Sequence, residues 1–305
     1  MRIGMIGLGK MGGNMARRLI RGGHEVVVYD VSKENIDALS AEGAKAAYSM
    51  EGLVEQLRPP RAVWLMLPAG KPVADTVLKL EGLLESGDTV IEGGNSYFKD
   101  AVEQEARLKK SGIFLIDAGV SSGIWGLEKG YCLMLGGEAA AYEPLVPVFK
   151  TLAPEGGYMY CGPSGAGHFV KMVHNGIEYA LMAAYGEGFE IMEASPYGQH
   201  LDYAQVSNLW NNGSIIRSWL LEFAGSAFSK YGKLEGIKGY VQDSGEGRWT
   251  VQQAVDTGVP IPLISAALFQ RFRSRQEDSF SDKLLAAMRD EFGGHGFKKK
   301  AGGQG

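Results

Sequence analysis

A glycine-rich turn between an apolar run and a helical stretch constrains the fold of this chain more than any other feature. Gly7, Gly9 and Gly12 follow the run Ile3–Leu8 and open the helical pattern Gly12–Arg21. In such a turn the first glycine permits a tight bend, the second lets the backbone approach a pyrophosphate, and the third allows close helix–strand packing. The helix N-terminus then offers unpaired N–H groups and a positive dipole end to the phosphates. The sequence therefore predicts a dinucleotide cradle, with an ordinary strand–helix turn as the alternative.

The first half of the chain alternates apolar, β-rich runs with polar helical stretches. This order predicts parallel βαβ units in a doubly wound, mostly parallel α/β sheet of the Rossmann type. The predicted strands are Ile3–Leu8, Glu25–Tyr29, Ala62–Leu67, Thr89–Glu92, Ile113–Asp117, Tyr131–Leu135 and Tyr158–Cys161. The predicted helices are Gly12–Arg21, Lys33–Ala41, Glu51–Leu57, Pro72–Leu80, Lys99–Lys110 and one that starts near Ala139.

The pattern changes after the glycine-rich segment Cys161–Gly167. A long helical pattern runs from His168 to about Ala194, and the rest of the chain is mainly helical. A chain of 305 residues suits two domains. We therefore predict a dinucleotide-binding domain over 1–163, an all-α domain over 164–290, and a C-terminal tail over 291–305.

A carboxylate ends the second predicted strand. Asp30 closes the run VVVYD, close to the roughly twenty residues that separate such an acid from the glycines in dinucleotide-binding units. It can accept hydrogen bonds from the adenosine ribose and would repel a 2′-phosphate, which favours NAD over NADP. A simple turn aspartate is the alternative. The predicted cofactor-binding residues are Gly7, Leu8, Gly9, Met11, Gly12, Asp30, Leu67, Pro68 and Asn95.

Five polar side chains fall on one face of the long predicted helix. Lys171, His174, Asn175, Glu178 and Tyr179 recur at i, i+3, i+4, i+7 and i+8, and the opposite face is apolar or small. The alternative is the solvent side of an amphipathic helix, which would stay polar for further turns. Methionine and leucine follow on this face instead. The stripe therefore indicates the wall of a cleft suited to general acid–base chemistry.

Small polar residues also follow two of the predicted strands, in Gly93–Ser96 and Val120–Gly123. Ligands of open α/β sheets bind beyond the carboxyl ends of the strands, so these residues are candidates for binding a hydroxylated substrate. Ordinary turns are the alternative. Arg271, Arg289 and His295 are cationic candidates for a carboxylate or phosphate, and for Arg271 a solvated face is equally compatible with the spacing.

Charge and cysteine content exclude several classes of protein. With 31 basic and 35 acidic residues the formal charge is −4, which argues against nucleic acid as a partner. Cys132 and Cys161 give neither a disulfide framework nor metal-ligand spacing, so no metal is predicted. The longest apolar stretch, Ala62–Gly70, is far shorter than a membrane span. We expect a soluble cytoplasmic protein without a membrane partner.

Taken together, these motifs resemble the 6-phosphogluconate dehydrogenases of the β-hydroxyacid dehydrogenase superfamily. The motifs are GLGKMGGNM, GGNS, DAGVSSG, GHFVKMVHNGIEY, GEGRWT, GVPIPLI and RDEFGGH, so the similarity covers nearly the whole chain. The length is similar to that of the short form, whose members often prefer NAD. The resemblance implies oxidative decarboxylation of 6-phospho-D-gluconate to D-ribulose 5-phosphate and CO₂ with reduction of NAD, in the pentose phosphate pathway and gluconate utilisation.

The resemblance also implies a role for each matching residue. Lys171 would be the general base and Glu178 the general acid. In the family, the arginine and histidine of the last motif reach a neighbouring subunit's site, which implies a homo-oligomer, either a dimer or a tetramer. The residues implied to bind the substrate are Asn95, Ser121, Ser122, Gly123, His174 and Asn175 for the sugar acid, Tyr179 and Arg271 for its phosphate, and Arg289 and His295 from the partner.

Two departures from the long-form pattern modify these expectations. Long forms have Ser-Gly-Gly where this chain has Ser121-Ser122-Gly123, and K-G-T-G-K-W where it has Ser244-Gly-Glu246-Gly-Arg248-Trp249. The lost lysine and the added carboxylate are expected to weaken phosphate binding at that loop. Two other functions stay open: a non-decarboxylating β-hydroxyacid dehydrogenase of the 3-hydroxyisobutyrate type, and a catalytically silent NAD-binding sensor.

Overall fold

The computed structural model describes residues 1–294 and 296–298. Eight strands form one sheet in the order β3-β2-β1-β4-β5-β6-β7-β8. The pairing is parallel throughout except between β6 and β7, which run antiparallel. The strands are β1 (Arg2–Ile6), β2 (Glu25–Tyr29), β3 (Lys45–Ala46), β4 (Ala62–Leu65), β5 (Thr89–Glu92), β6 (Phe114–Ser121), β7 (Cys132–Gly137) and β8 (Tyr158–Gly162).

Fourteen α-helices lie in the described part of the chain. Those of the first half are α1 (Lys10–Arg21), α2 (Lys33–Ala41), α3 (Met50–Glu55), α4 (Lys71–Glu81), α5 (Phe98–Leu108), α6 (Gly126–Lys129), α7 (Ala139–Tyr142) and α8 (Val146–Leu152). They are followed by α9 (Ala166–Ala194), α10 (Tyr203–Asn211), α11 (Trp219–Tyr231), α12 (Glu246–Thr257), α13 (Pro262–Arg273) and α14 (Phe280–Gly293).

The central strands are apolar on both faces, because helices cover the sheet from both sides. On β4, Ala62 and Trp64 belong to one buried cluster, and Val63 and Leu65 belong to the other. This alternation follows from the two-residue period of a strand, and continuous apolar runs are typical of parallel sheets buried on both faces. Each large side chain fully buried here contributes about 1.5–3 kcal/mol to the free energy of unfolding.

Side-chain caps at helix N-termini explain several of the observed boundaries. The hydroxyls of Ser49 and Ser218 accept from backbone N–H groups in the first turns of α3 and α11, and the carboxylate of Asp202 does so for α10. Gly9 precedes α1 with no side-chain cap, so the first N–H groups of that helix receive no such hydrogen bond.

The chain divides into two compact units that do not coincide with the predicted domain bounds. Unit 1 comprises Met1–Ile177 and Ser244–Thr257, and unit 2 comprises Glu178–Asp243 and Gly258–Gly305. The division falls inside α9 because the first part of that helix packs with unit 1. Unit 1 holds the sheet, and the secondary structure described in unit 2 is helical. Its core contains Phe189, Tyr203 and Leu221 of α9, α10 and α11.

The predicted fold class, a Rossmann-like α/β part followed by a helical part, is confirmed. Several details differ, and the short helix α6 was not predicted. The two-residue strand β3 carries no apolar run and was not predicted, and β6 extends to Ser121 because its antiparallel pairing with β7 continues past Asp117. Helix α14 continues to Gly293, inside the range predicted as tail. No described helix has the length and apolar character needed to cross a membrane.

Candidate active site

The glycines of the β1–α1 turn show three different environments. Gly7 has φ +90°, and a Cβ there would lie 2.4 Å from the carbonyl oxygen of Met66. A Cβ on Gly12 would lie 2.0 Å from the carbonyl oxygen of Gly7. A Cβ on Gly9 would meet nothing within 4 Å. Gly7 and Gly12 therefore serve the bend and the packing, whereas Gly9 faces open space next to the uncapped end of α1, which fits a diphosphate.

The carboxylate of Asp30 stabilises this turn by hydrogen bonds to the backbone. Its Oδ2 accepts from the backbone N–H of Leu8 at 2.5 Å, and its Oδ1 accepts from the backbone N–H of Ser32 at 2.8 Å. Asp30 therefore does stabilise a turn, as the alternative interpretation of this residue expected. A carboxylate has about four lone-pair sites, so these two bonds leave acceptor capacity for ribose hydroxyls. That cofactor contact remains a prediction, as do those of half-buried Met11 and Leu67 and of exposed Pro68 and Asn95.

A buried aspartate fixes the start of α9. Asp117 of β6 is fully buried and accepts from the backbone N–H groups of Gly165 at 2.6 Å and His168 at 2.8 Å. The helix also lies very close to the sheet, because a Cβ on Gly119 of β6 would come within 2.4 Å of the Cβ of Lys171. The position of Lys171 is therefore set by a strand that precedes it by some fifty residues.

A second buried pair joins α9 to the GGNS loop after β5. Nε2 of His168 lies 2.6 Å from Oε2 of Glu92, and the N–H of Gly94 donates to Oε1 of Glu92 at 2.8 Å. Burial alone would raise the pKa of Glu92, but His168 and then Gly94 hold that pKa below its ordinary value. Burial alone would lower the pKa of His168, but Glu92, with smaller effects of Asp117 and Asp100, holds it above its ordinary value.

No sequence pattern indicated Glu92, Asp117 and His168 as a group. The one available signal was two acidic residues inside otherwise apolar strands, where an unpaired carboxylate is costly. Their partners lie 48 to 76 residues away along the chain, which no local pattern reports.

The polar stripe of α9 faces inward. Lys171 is only 7% exposed, and Asn175 and Tyr179 are also buried. His174 and Glu178 are half-buried, whereas Ile177 is 50% exposed. The interpretation of the stripe as the solvent side of an amphipathic helix is therefore wrong. Lys171, His174 and Asn175 belong to unit 1, and Glu178 and Tyr179 belong to unit 2, on one continuous helix.

A chain of hydrogen bonds ties this stripe to α12. Nδ1 of His174 lies 2.9 Å from Oδ1 of Asn175, and Nδ2 of Asn175 donates to Oε1 of Glu246 at 3.0 Å. Oγ of Ser244 donates to Oε2 of Glu246 at 2.5 Å. The hydroxyl of Thr250 donates to the carbonyl oxygen of Met172 at 2.9 Å, which holds the two helices together.

The candidate phosphate residues Tyr179 and Arg271 meet in unit 2. The guanidinium carbon of Arg271 lies 3.5 Å from the ring centroid of Tyr179, a cation–π contact, and its Nη1 donates to the carbonyl oxygen of Gln242 at 2.8 Å. Arg289 lies on the exposed surface of α14, and His295 lies outside the described residues.

Glu178 lines a cavity. The cavity has a volume of about 640 Å³ and lies within unit 2. Its walls are largely apolar and aromatic, with Phe189, Tyr203 and Phe228 among them. The half-buried carboxylate of Glu178 therefore borders a largely apolar space.

The loop after β6 holds one strained residue. Ser121 ends the strand, Ser122 has φ +108°, and Gly123 has φ +55°. A side chain is unfavourable in this region of φ, and the long-form pattern has glycine where this chain has Ser122.

Ser122→Gly is therefore expected to raise the free energy of unfolding by about 1 kcal/mol, because glycine removes a left-handed penalty of about 1–2 kcal/mol. Urea unfolding followed by circular dichroism measures it. Ser226→Gly on the exposed face of α11 is the matched control and should lower stability by about 0.5 kcal/mol. A less stable Ser122→Gly protein would show that the hydroxyl contributes more than the strain costs.

Comparison with known proteins matches both parts of this arrangement. Residues 2–162 match the model of the NAD binding domain of 6-phosphogluconate dehydrogenase, and residues 167–279 match that of the 6-phosphogluconate dehydrogenase C-terminal domain. The chain belongs to the 6-phosphogluconate dehydrogenase family. It is an oxidoreductase with an NAD-binding domain, which confirms the predicted cofactor.

Relatives of the same length support this family. The chain is 44% identical over 303 residues to the NAD(+)-dependent, decarboxylating 6-phosphogluconate dehydrogenase of Haloferax volcanii, with 98% of this chain and 99% of that protein covered. It is 46% identical over 301 residues to the 6-phosphogluconate dehydrogenase homologue YqeC of Bacillus subtilis (strain 168), with 98% and 100% covered.

A solved structure of the family has the same fold. The Plasmodium falciparum 6-phosphogluconate dehydrogenase superposes with a TM-score of 0.83 at 28% identity, over 100% of this chain and 67% of that one. The 3-hydroxyisobutyrate dehydrogenase of Mycobacterium tuberculosis superposes with a TM-score of 0.72 at 22% identity, over 94% and 99%, which shows a shared fold only.

Proposed function

We propose that this chain is an NAD-dependent, decarboxylating 6-phosphogluconate dehydrogenase, which converts 6-phospho-D-gluconate to D-ribulose 5-phosphate and CO₂. The observation that carries the proposal is the inward-facing polar stripe of α9, with Lys171 and Asn175 buried on it. Burying an amine costs free energy unless it is paired, and ionisable side chains retained at such a cost are candidates for catalysis. The proposed setting is the pentose phosphate pathway and gluconate utilisation, in the cytoplasm.

The residues of the β1–α1 turn fit NAD. Gly9 leaves the space that a diphosphate needs, the uncapped N-terminus of α1 directs N–H groups toward it, and Asp30 retains lone pairs for the ribose. NAD, when bound, supplies the hydride acceptor for oxidation at C3.

Two residues of α9 move the protons. Lys171, as the neutral amine, removes the proton of the C3 hydroxyl while C3 is oxidised. The 3-keto acid then loses CO₂, and protonated Lys171 polarises the ketone as electrons from the breaking bond move toward it. Glu178 delivers a proton to C1 of the enediol, giving ribulose 5-phosphate. These transfers contribute the usual ~10²–10⁴-fold effect each, in addition to orientation.

Initial rates with 6-phosphogluconate and gluconate, each with NAD and NADP, test the proposal. We expect NADH formation to be fastest with 6-phosphogluconate and NAD, with release of one CO₂ per NADH from C1-labelled substrate. NADH without CO₂ would indicate a non-decarboxylating β-hydroxyacid dehydrogenase. No NADH with either acid would indicate a protein that binds NAD without catalysis.

Asp30→Asn is expected to lower the preference for NAD over NADP by about tenfold. A 2′-phosphate carries roughly −1.5 to −2 charges at neutral pH, by analogy with phosphorylated side chains, and the variant removes the facing negative charge while keeping one acceptor oxygen for the turn. The ratio of kcat/KM for the two cofactors measures the change. Asp37→Ala, an exposed aspartate of α2, is the control. If the ratio of kcat/KM for NAD and NADP did not change, Asp30 would stabilise the turn without selecting the cofactor.

We also infer a homo-oligomer with shared sites. Helices α13 and α14 expose large apolar side chains, which is typical of a surface that another subunit covers. These side chains are Leu263, Phe269, Phe280, Leu284, Leu285 and Met288. Arg289 lies on the same helix as the last four and is proposed to serve the partner's site.

Mixing Lys171→Met chains with Arg289→Ala chains should restore part of the activity, because some mixed oligomers contain one site with both residues intact. Initial rates before and after subunit exchange measure the recovery. Chains that carry both substitutions, treated in the same way, should stay inactive. Absence of recovery in oligomers shown to have exchanged subunits would mean that Arg289 acts in its own chain or in no site.

A further inference from the structure

Glu246 is a buried carboxylate that the proposed reaction does not use. It is 2% exposed and stands in the first turn of α12. The positive end of that helix and two hydrogen-bond donors, from Asn175 and Ser244, stabilise its negative charge. Both of its oxygens thus accept hydrogen bonds from side chains inside the protein. The expectation that the lost lysine and this added carboxylate weaken phosphate binding at the loop stays a prediction.

The carboxylate of Glu246 determines which group donates in each hydrogen bond that links it to Asn175 and His174. An ionised carboxylate only accepts, so Asn175 must turn its NH₂ group toward Glu246. The amide oxygen of Asn175 then faces His174 and can only accept, so Nδ1 of His174 must carry the proton. In the neutral ring Nε2 consequently has the lone pair and is an acceptor toward any donor that it meets.

We propose that Glu246 is a positioning residue that holds His174 as its Nδ1–H tautomer through Asn175. The hydrogen-bond geometry among these three side chains carries the proposal. Its consequence for catalysis rests on the proposed function: Nε2 of His174 accepts from a hydroxyl of the sugar acid, whereas the other tautomer would present a second N–H there and leave that hydroxyl without an acceptor. Glu246 acts on the substrate through its neighbours and not by contact.

The tautomer can be measured directly, without turnover. The chain contains five histidines, so ¹⁵N-histidine labelling gives few signals, and ¹H–¹⁵N correlation separates protonated from unprotonated ring nitrogens. At about pH 8 the wild type should show Nδ1–H and an unprotonated Nε2 for His174. A His174→Gln protein assigns the signal. The Nε2–H tautomer, or a doubly protonated ring, in the wild type would overturn the proposal.

Two variants test whether Glu246 is the cause. In Glu246→Gln the amides of Asn175 and of the new glutamine can both rotate, so the donors and acceptors of these hydrogen bonds can exchange. Both tautomers of His174 should then be populated, with averaged ¹⁵N shifts. Adding Asn175→Asp exchanges the carboxylate and the amide between the two positions. The carboxylate introduced beside His174 would only accept, so the double variant should return His174 to Nδ1–H alone. A fixed Nδ1–H in Glu246→Gln alone, or mixed tautomers in the double variant, would overturn the proposal.

Glu51→Gln is the matched control. Glu51 also stands in the first turn of a helix two residues after a serine, but its side chain is about half exposed and pairs with Lys79 at 2.9 Å. Its loss should not move the His174 signals. Kinetics add a separate readout: Glu246→Gln should lower kcat/KM for 6-phosphogluconate about tenfold, with KM for NAD unchanged. Inactive wild-type protein with the expected tautomer shifts would refute the proposed function and leave the positioning role of Glu246 intact.

Discussion

Lys171→Met is expected to lower kcat for oxidation of 6-phosphogluconate by about 10³-fold or more, with the Kd for NAD within a few-fold of wild type. Methionine has a similar volume and the same unbranched side chain near the backbone, so the close packing of α9 against Gly119 should persist. The amine, however, is the group that we propose takes the C3 proton and then polarises the ketone. Losing both functions should therefore affect kcat far more than KM.

The comparison needs three measurements. Steady-state rates give kcat, quenching of protein fluorescence gives the Kd for NAD, and circular dichroism reports folding. Lys150→Met, at an exposed lysine of α8, is the matched control and should behave as wild type. Turnover of Lys171→Met within a few-fold of wild type, with folding and NAD binding intact, would remove Lys171 from the role of base.

Glu92→Gln is expected to lower the free energy of unfolding by about 3–5 kcal/mol near pH 6. Removing one member of a buried ion pair leaves the other charge buried and uncompensated, and this pair is almost completely buried at 2.6 Å. The matched control is Glu81→Gln, whose partner Arg107 lies at the same 2.6 Å but is about half exposed. Its loss should cost at most about 1 kcal/mol.

The effect of Glu92→Gln should depend on pH in a defined way. The lowered pKa of Glu92 gives stability that is present above its unfolded pKa of about 4.3 and is lost as pH falls through the folded value. The raised pKa of His168 gives stability that is present below its unfolded pKa of about 6.5 and is lost as pH rises through the folded value. The difference between wild type and variant should therefore be largest between about pH 4.5 and 6.5.

Urea unfolding at a series of pH values tests both parts of this expectation. A cost no larger than that of Glu81→Gln would mean that the pair contributes little net stability. A difference that stays constant from pH 5 to 9 would mean that His168 is not charged in the folded protein.

The sequence by itself determined those features that depend on neighbours within one element. The spacing of Gly7, Gly9 and Gly12 predicted the cradle, because the requirements of a bend and a close helix are local. The period of the stripe from Lys171 to Tyr179 placed these side chains on one face of a helix, because 100° per residue is a property of the helix alone. Runs of apolar residues predicted seven of the eight strands.

Only the tertiary structure decided how deeply each polar group of α9 is buried and what it binds. Periodicity gives a face but not its direction, and the burial of Lys171 follows from a helix start held by Asp117. Likewise, Asn175 and Glu246 are 71 residues apart, and their contact depends on α12 packing beside α9. Such contacts follow from the packing of whole elements, whose energy is spread over many residues, so no short stretch of sequence encodes them.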